Sequence, residues 1–352
     1  MRILPSYLPN NKGTKGAFPD THKKSRLGML PLVIFCVAGL FCLSLGLGST
    51  HIGIRNSFSL LLGGENLSPA YTIVRHVRLP RTLAALLCGM ALAISGSLLQ
   101  KVLHNPLAGP SIIGVNSGAG LFALLASAYL PHLVALGSLF AFLGALGASL
   151  TVYALARRSG STHLTIILAG VAISSLLGAL TDTLLTLRPE TQMERLDFLI
   201  GSFAHVSNVQ IVHTAPYIVG GILLSFLLGH DLNILALGDE VALSLGLEVE
   251  RTRFFALMLA SLLSGSVVSM CGLIGFVGLV VPHMVRSRIG EDSPLFLLYA
   301  ALGGALITLG CDLIARTLFS PYELPVGIVL SFLGSPFFLF LLIRRNRRPR
   351  HA

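Results

Sequence analysis

Long apolar segments follow one another along most of this chain, and short polar stretches separate them. An α-helix needs about 20 residues to cross the hydrocarbon core of a membrane, and most of these segments are close to that length. The pattern therefore predicts an all-α polytopic membrane protein with about ten transmembrane helices. The predicted helices are 28–48, 82–99, 111–130, 133–156, 164–181, 211–229, 254–271, 273–285, 295–311 and 324–343.

The segment 273–285 is shorter than the others and contains Pro282. A short helix with a proline leaves backbone groups that lipid cannot satisfy. We predict a tilted or broken helix here, shielded from lipid by the rest of the protein.

Composition supports a membrane protein: 53% of the 352 residues are hydrophobic and 11% are charged. Polar and basic residues are concentrated in the first 27 residues, which lack the pattern of a cleaved signal peptide. We predict a disordered basic cytoplasmic tail at 1–27, then a single transmembrane domain at 28–350.

The net charge of +10 reflects orientation in the membrane rather than nucleic-acid binding, because the basic residues lie at the ends of apolar segments. An even number of helices puts both termini on one side. Most of the 25 lysines and arginines fall on that side, so the positive-inside rule places both termini in the cytoplasm. The polar loop 231–253 is then cytoplasmic as well.

A weak internal repeat supports two halves of opposite orientation. Arg78–Arg81 precedes Ser95–Ser97 in the second predicted helix, and Arg251–Arg253 precedes Ser264–Ser266 in the seventh. These two helices enter the membrane from opposite sides. We therefore predict two inverted-topology halves, an arrangement common in transporters.

The loop 231–253 contains a predicted short helix of about seven residues. Gly238 and Asp239 mark its start, Glu240 suits the positive end of the helix dipole, and Gly246 marks its end. Val241 and Leu245 share one apolar face. Such a helix either binds another protein or packs, solvated, on its own chain.

Four arginines lie on the predicted outer side, against the positive-inside rule: Arg55, Arg75, Arg78 and Arg81. They either contact lipid headgroups, with extended side chains, or form a docking surface for an acidic partner.

The chain lacks a phosphate-binding G-x-x-x-x-G-K-[ST] motif, and its apolar segments place no charged residue near the membrane centre. Carriers driven by protons or sodium usually need such a residue or a discontinuous helix there. An ion-coupled secondary carrier is therefore disfavoured but stays an alternative, as does a membrane scaffold. No catalytic or metal-ligand spacing is present, which predicts a non-enzyme without a metal site.

Several separated motifs follow one another along the chain. They are Arg78-Leu-Pro-Arg81, Asn105-Pro-Leu-Ala-Gly-Pro110, Leu237–Gly246, Gly272–Arg286, Asp312-x-x-x-Arg316, Glu323-Leu-Pro325 and Gly334-x-Pro-Phe-Phe338. In this order they resemble the FecCD family of permeases, which serve ATP-binding-cassette (ABC) importers. The resemblance covers about 75–350 and leaves out the N-terminal tail.

The resemblance implies a homodimer in the bacterial cytoplasmic (inner) membrane, with the solute path between the two copies. Two ATPase subunits would dock from the cytoplasm, so ATP would be bound by a partner and this chain would need no cofactor. An extracytoplasmic binding protein would dock outside. The implied solute is a metal chelate, an iron–siderophore complex first, with haem or cobalamin as alternatives.

The resemblance also implies roles for particular residues. It assigns ATPase coupling to Gly238, Asp239, Glu240, Val241, Ala242, Leu245 and Gly246, and binding-protein docking to Arg78, Arg81 and Arg316. It assigns the gate of the translocation path to Asn105, Leu107, Thr162 and His163.

Overall fold

Helices occupy all ten predicted segments, in the predicted order. The computed structural model describes residues 21–48, 52–62, 68–130, 134–159, 163–291 and 294–346. The helices at the predicted segments are α1 Thr21–Gly46, α4 Leu79–Val102, α5 Val115–Tyr129, α6 Val134–Arg158, α7 His163–Leu187, α9 Asn208–Leu227, α12 Val249–Cys271, α13 Val277–Ile289, α14 Phe296–Thr317 and α15 Val326–Asn346.

Seven helices of the described residues are long and apolar enough to cross a membrane. They are α1, α6, α7, α9, α12, α14 and the continuous run Pro69–Val102, which ends in α4. The apolar helix α5 has 15 residues and α13 has 13, so each is shorter than a full span. The chain is thus an all-helical polytopic membrane protein.

Five shorter helices, which apolar length did not predict, lie between the long ones. They are α2 Ile54–Leu62, α3 Pro69–Ile73, α8 Gln192–Ile200, α10 Gly229–Leu235 and α11 Asp239–Ser244. A π-helical turn, Val74–Arg78, joins α3 to α4. Only α11 was predicted as a separate short helix.

The N-terminal boundary differs from the prediction. Helix α1 begins at Thr21, so residues 21–27 of the predicted disordered tail are helical. The apolar segment begins at residue 28, but a helix can extend past the hydrocarbon with basic residues in its first turns. Residues 1–20 lie outside the described part.

Helices α4 and α12 form the centre of the structure, and small residues let their neighbours approach closely. A Cβ added to Gly96 in α4 would overlap the carbonyl oxygen of Gly278 in α13, and one at Gly89 would overlap that of Gly304 in α14. The Ser95 hydroxyl donates to the Ala260 carbonyl of α12 at 2.8 Å. Small residues thus let α4 pack closely against α13 and α14.

The segment 273–285, predicted as a tilted or broken helix, is non-helical up to Phe276, and α13 begins at Val277 and continues through Pro282. Gly272 has φ of 73° and ends α12. The non-helical backbone is satisfied by α8 and the residues after it: Leu273 N–H donates to Phe198 O at 2.8 Å, and Ser202 N–H donates to Cys271 O at 2.9 Å. Non-helical backbone here is therefore paired with protein, as a membrane requires.

Candidate functional site

Two groups of predicted site residues lie at opposite ends of the helix bundle. The cytoplasmic group contains α11, the loop after α4 and the start of α7. The outer group contains arginines of the π-helical turn, α4 and α14. Each group is built from the ends of several helices.

Helix α11 is a short helix with a glycine at each end. Its N-cap is Gly238, with φ of 106°, and Gly246 follows it with φ of 83°. Leu247 N–H donates to Ala242 O and Gly246 N–H donates to Leu243 O, each at 3.0 Å. These two bonds form the Schellman motif, which satisfies the last carbonyls of a helix. The predicted start and stop are confirmed.

One side of α11 is fixed to the protein and the other is exposed. Ala242 is fully buried, whereas Val241 is 45% exposed and Leu245 is 61% exposed. Leu237, one turn earlier, is 61% exposed. Three apolar side chains therefore project from the cytoplasmic surface. Glu240 is exposed beside them.

A buried arginine ties α11 to α12. Arg253 is 2% exposed, and its Nη2 donates to both carboxylate oxygens of Asp239, at 2.8 and 3.0 Å. Its Nη1 donates to Glu250 at 3.1 Å. Asp239, the first residue of α11, is thus held by the second turn of α12.

A groove of about 620 Å³ runs alongside this link. Its lining comes from α6, α11 and α12: Tyr153, Arg157, Asp239, Leu243, Glu248, Val249, Glu250, Arg251 and Phe254. The groove therefore exposes both apolar and charged side chains on the cytoplasmic side.

The loop after α4 holds two of the predicted gate residues, Asn105 and Leu107. The Asn105 side chain accepts from the Leu107 backbone N–H at 3.0 Å, which fixes a tight turn. Both residues are half-buried. His104, directly before them, has φ of 46°, a left-handed conformation uncommon for a residue other than glycine.

His163, a third predicted gate residue, lies next to this loop. Its ring centroid is 4.5 Å from that of His104, and its Nε2 is 3.9 Å from Asp239 Oδ2. The structure therefore brings the predicted gate loop and the predicted coupling helix together. Thr162, the fourth predicted gate residue, lies outside the described residues.

The outer group is a buried cluster of charges. Arg81 is 4% exposed and pairs with Asp312 at 2.9 Å and with Glu323 at 2.5 Å. Arg316, 2% exposed, lies 3.5 Å from the second oxygen of Asp312. Charges this deeply buried persist only when they are paired.

Arg78 and Arg316 also cap the C-terminus of α1. Arg78 Nη1 donates to the carbonyls of Leu45 and Gly46 at 3.1 and 2.9 Å, and Arg316 Nη2 donates to Ser44 O at 2.6 Å. The last carbonyls of a helix lack partners within it and carry partial negative charge. The three predicted docking arginines are therefore buried in this structure, and their docking role stays a prediction. Arg55 and Arg75, in contrast, are exposed.

The sequence interpretation missed the partners of several of these residues. In the sequence, Arg253 was interpreted as an orientation signal and as part of the internal repeat, and His104 was not identified. Asp312 and Glu323 were noted within motifs but were not recognised as partners of Arg81, more than 200 residues away. For His104 the available signal was its position directly before Asn105-Pro106, because a proline disfavours helix at the residue before it and so indicates a turn.

The chain is similar to known transport proteins over most of its length. The FecCD transport family matches residues 34–344. The hemin transport system permease protein HmuU of Yersinia pestis is 38% identical over 311 residues, covering 86% of this chain and 93% of the relative. The Fe(3+)-citrate import system permease protein YfmD of Bacillus subtilis (strain 168) is 38% identical over 319 residues, covering 90% of this chain and 95% of the relative.

A solved structure is similar in fold as well. It is described as an inward-facing conformation of a metal-chelate type ABC transporter, and it matches with a TM-score of 0.77 and 28% identity over 90% of this chain and 99% of that one. The family match and the curated relatives span nearly the whole transmembrane part. The chain therefore belongs to the FecCD transport family and is the membrane-spanning, non-catalytic permease subunit of an ABC importer.

Proposed function

We propose that this permease carries a ferric chelate, an iron–siderophore complex, into the cytoplasm across a bacterial inner membrane. The observation that carries the proposal is the near full-length similarity to a permease named for Fe(3+)-citrate import. Haem is the second candidate, because a permease named for hemin transport is equally similar.

The proposed assembly has two copies of this chain, two ATPase subunits and one extracytoplasmic binding protein. The exposed apolar face of α11 supports ATPase docking, since three large apolar side chains lie together there. Arg253 supports coupling, because it links α11 to a central helix of the bundle. The gate loop lies directly beside α11, so a movement of the ATPases has a short route to the gate.

The exposed outer arginines support docking of an acidic binding protein. We expect Arg55→Glu with Arg75→Glu to weaken binding-protein affinity about 10-fold at low salt, with a smaller effect at high salt, because screening reduces the charge contribution. Affinity is measured by surface plasmon resonance on permease in nanodiscs.

The matched control is Arg188→Glu, which reverses an exposed charge elsewhere on the outer side. These variants avoid the buried Arg78 and Arg316, whose reversal would also disturb the end of α1. Equal affinity for the native protein and the double variant at low salt would refute this docking surface.

Uptake by cells tests the solute. Cells that carry the complete operon are given labelled ferric siderophores, haem and cobalamin, and are compared with cells in which only this gene is deleted. We expect gene-dependent accumulation of at least one ferric siderophore, which is lost when the partner ATPase cannot hydrolyse ATP. Accumulation of haem or cobalamin alone would replace the proposed solute, and uptake that survives loss of ATP hydrolysis would favour an ion-coupled carrier.

A further inference from the structure

Three metal-ligating side chains meet at the cytoplasmic end of the bundle. His104 comes from the loop after α4, His163 from the first residue of α7 and Asp239 from the first residue of α11. One ligand atom of each lies within 4.8 Å of the other two. Among the described residues, this is the group of histidine, cysteine and acidic side chains close enough to share one ion.

The surroundings of His104 and Asp239 match those of metal ligands. A ligating histidine usually donates its other ring N–H to a carbonyl or carboxylate, and a ligating carboxylate is itself hydrogen-bonded. His104 Nε2 lies 2.9 Å from the Leu235 carbonyl oxygen, which leaves Nδ1 with a free lone pair when Nε2 carries the proton. Asp239 is held by Arg253.

His163 provides an independent observation. Its Nδ1 is buried and has no hydrogen-bond partner among the described residues. Its Nε2 is 3.9 Å from Asp239 Oδ2, which is too long for a hydrogen bond. The expected separation of two ligand atoms on one tetrahedral Zn²⁺ is about 3.3 Å, given bonds of about 2.0 Å. A contraction of at most about 1.5 Å, from separations of up to 4.8 Å, therefore brings the three ligand atoms onto one ion.

The local charge also suits a cation. Arg253 adds one positive charge beside Asp239, but Glu250 pairs with the same guanidinium at 3.1 Å. With both imidazoles neutral, these five side chains carry a net charge of about −1. Two imidazoles and one carboxylate favour Zn²⁺, Ni²⁺ or Cu²⁺ over Mg²⁺ and Ca²⁺, which prefer oxygen ligands.

We propose that His104, His163 and Asp239 bind one transition-metal ion of the Zn²⁺ class, with water in the remaining position. The bound ion joins the gate loop to the coupling helix. Its effect on transport rests on the proposed function, in which α11 moves with the ATPases. An ion that restrains this movement slows uptake.

Binding is tested on the permease alone, purified without a histidine tag, stripped with a chelator and titrated with Co²⁺. We expect visible absorption bands of tetrahedral or five-coordinate Co²⁺ that saturate at one ion per chain and are displaced by Zn²⁺. His104→Asn and His163→Gln should each weaken binding by at least about 10–100-fold. Asparagine tolerates the left-handed conformation at residue 104, and neither change removes a partner of Arg253.

The control is His230→Gln, an exposed histidine of α10 on the same side, which should bind Co²⁺ as the native chain does. Absence of the bands in the native protein, or equal affinity in the native protein and both ligand variants, would overturn the site. This readout does not depend on transport, so it distinguishes failure of the site from failure of the proposed function.

The effect on transport is tested in proteoliposomes with the complete transporter and Zn²⁺ in the cytoplasmic compartment. Each variant is compared with its own metal-free rate. We expect Zn²⁺ to slow uptake by the native transporter and by His230→Gln severalfold, and to have little effect on His163→Gln. Equal sensitivity of His163→Gln and the native transporter would show that the ion does not act through this site.

Discussion

Replacing both Val241 and Leu245 with aspartate is expected to separate the permease from its ATPase subunits. These side chains form the exposed apolar face of α11, and burial of a large aliphatic side chain in an interface contributes about 1.5–3 kcal/mol. Two charged replacements should cost at least about 3 kcal/mol, which weakens association by about 100-fold or more. Co-purification from membranes, followed by titration of ATPase onto permease in nanodiscs, measures the loss.

The control is His230→Asp, which adds one negative charge at an exposed position of α10, half of what the double variant adds. Ala242 must remain unchanged, because it is fully buried and its replacement would disturb the helix itself. Normal thermal stability of the double variant shows that the fold is intact. If the double variant still retains its ATPases at native affinity, α11 is not the docking helix.

Gly96→Ala is expected to disrupt the packing of α4 against α13. An added methyl group would overlap the Gly278 carbonyl oxygen and lie 2.6 Å from the Gly278 Cα, so backbone rather than a flexible side chain must move. Overpacking at a rigid contact costs up to about 3 kcal/mol, which corresponds to a fall in Tm of about 4 °C for a chain of this length. Thermal unfolding in detergent, followed by size-exclusion chromatography, measures the change.

Gly178→Ala in α7 is the matched control. The added methyl group meets no atom within 4 Å, and alanine is the better helix former by about 0.5–1 kcal/mol. We therefore expect an unchanged or slightly higher Tm for this variant. A Gly96→Ala protein as stable as Gly178→Ala would mean that α4 and α13 are not in close contact.

The number and order of the long helices could be predicted from the sequence because apolar length is the dominant constraint on a membrane-spanning segment. Four short helices could not be predicted in this way, because their formation depends on contacts with other segments. They are α2, α3, α8 and α10. Helix α8 shows this well. Phe198, near its C-terminus, accepts a hydrogen bond from Leu273, and no local signal relates the two.

In the candidate sites, too, features with a local sequence signal could be predicted and features that depend on tertiary contacts could not. The start and end of α11 follow from Gly238 and Gly246, which are local signals, and they were predicted. The pairing of Arg81 with Asp312 and Glu323 was not predicted, because it depends on the tertiary arrangement of α4 and α14. Burial of Arg78 under the end of α1 likewise requires the three-dimensional structure, because in sequence it looks like one more arginine of an exposed group.

The link between Asp239 and Arg253 has a mechanical consequence. Helix α12 has 23 residues, so it is a rigid rod of about 35 Å that starts beside α11 and ends at Cys271 on the opposite face. There the Cys271 carbonyl oxygen accepts a hydrogen bond from Ser202 N–H, and Leu273 N–H donates one to Phe198 O of α8. We therefore expect that a tilt of α11 tilts α12 as one rigid body. This movement displaces the outer segment around residue 200, without any unwinding of α12 inside the membrane.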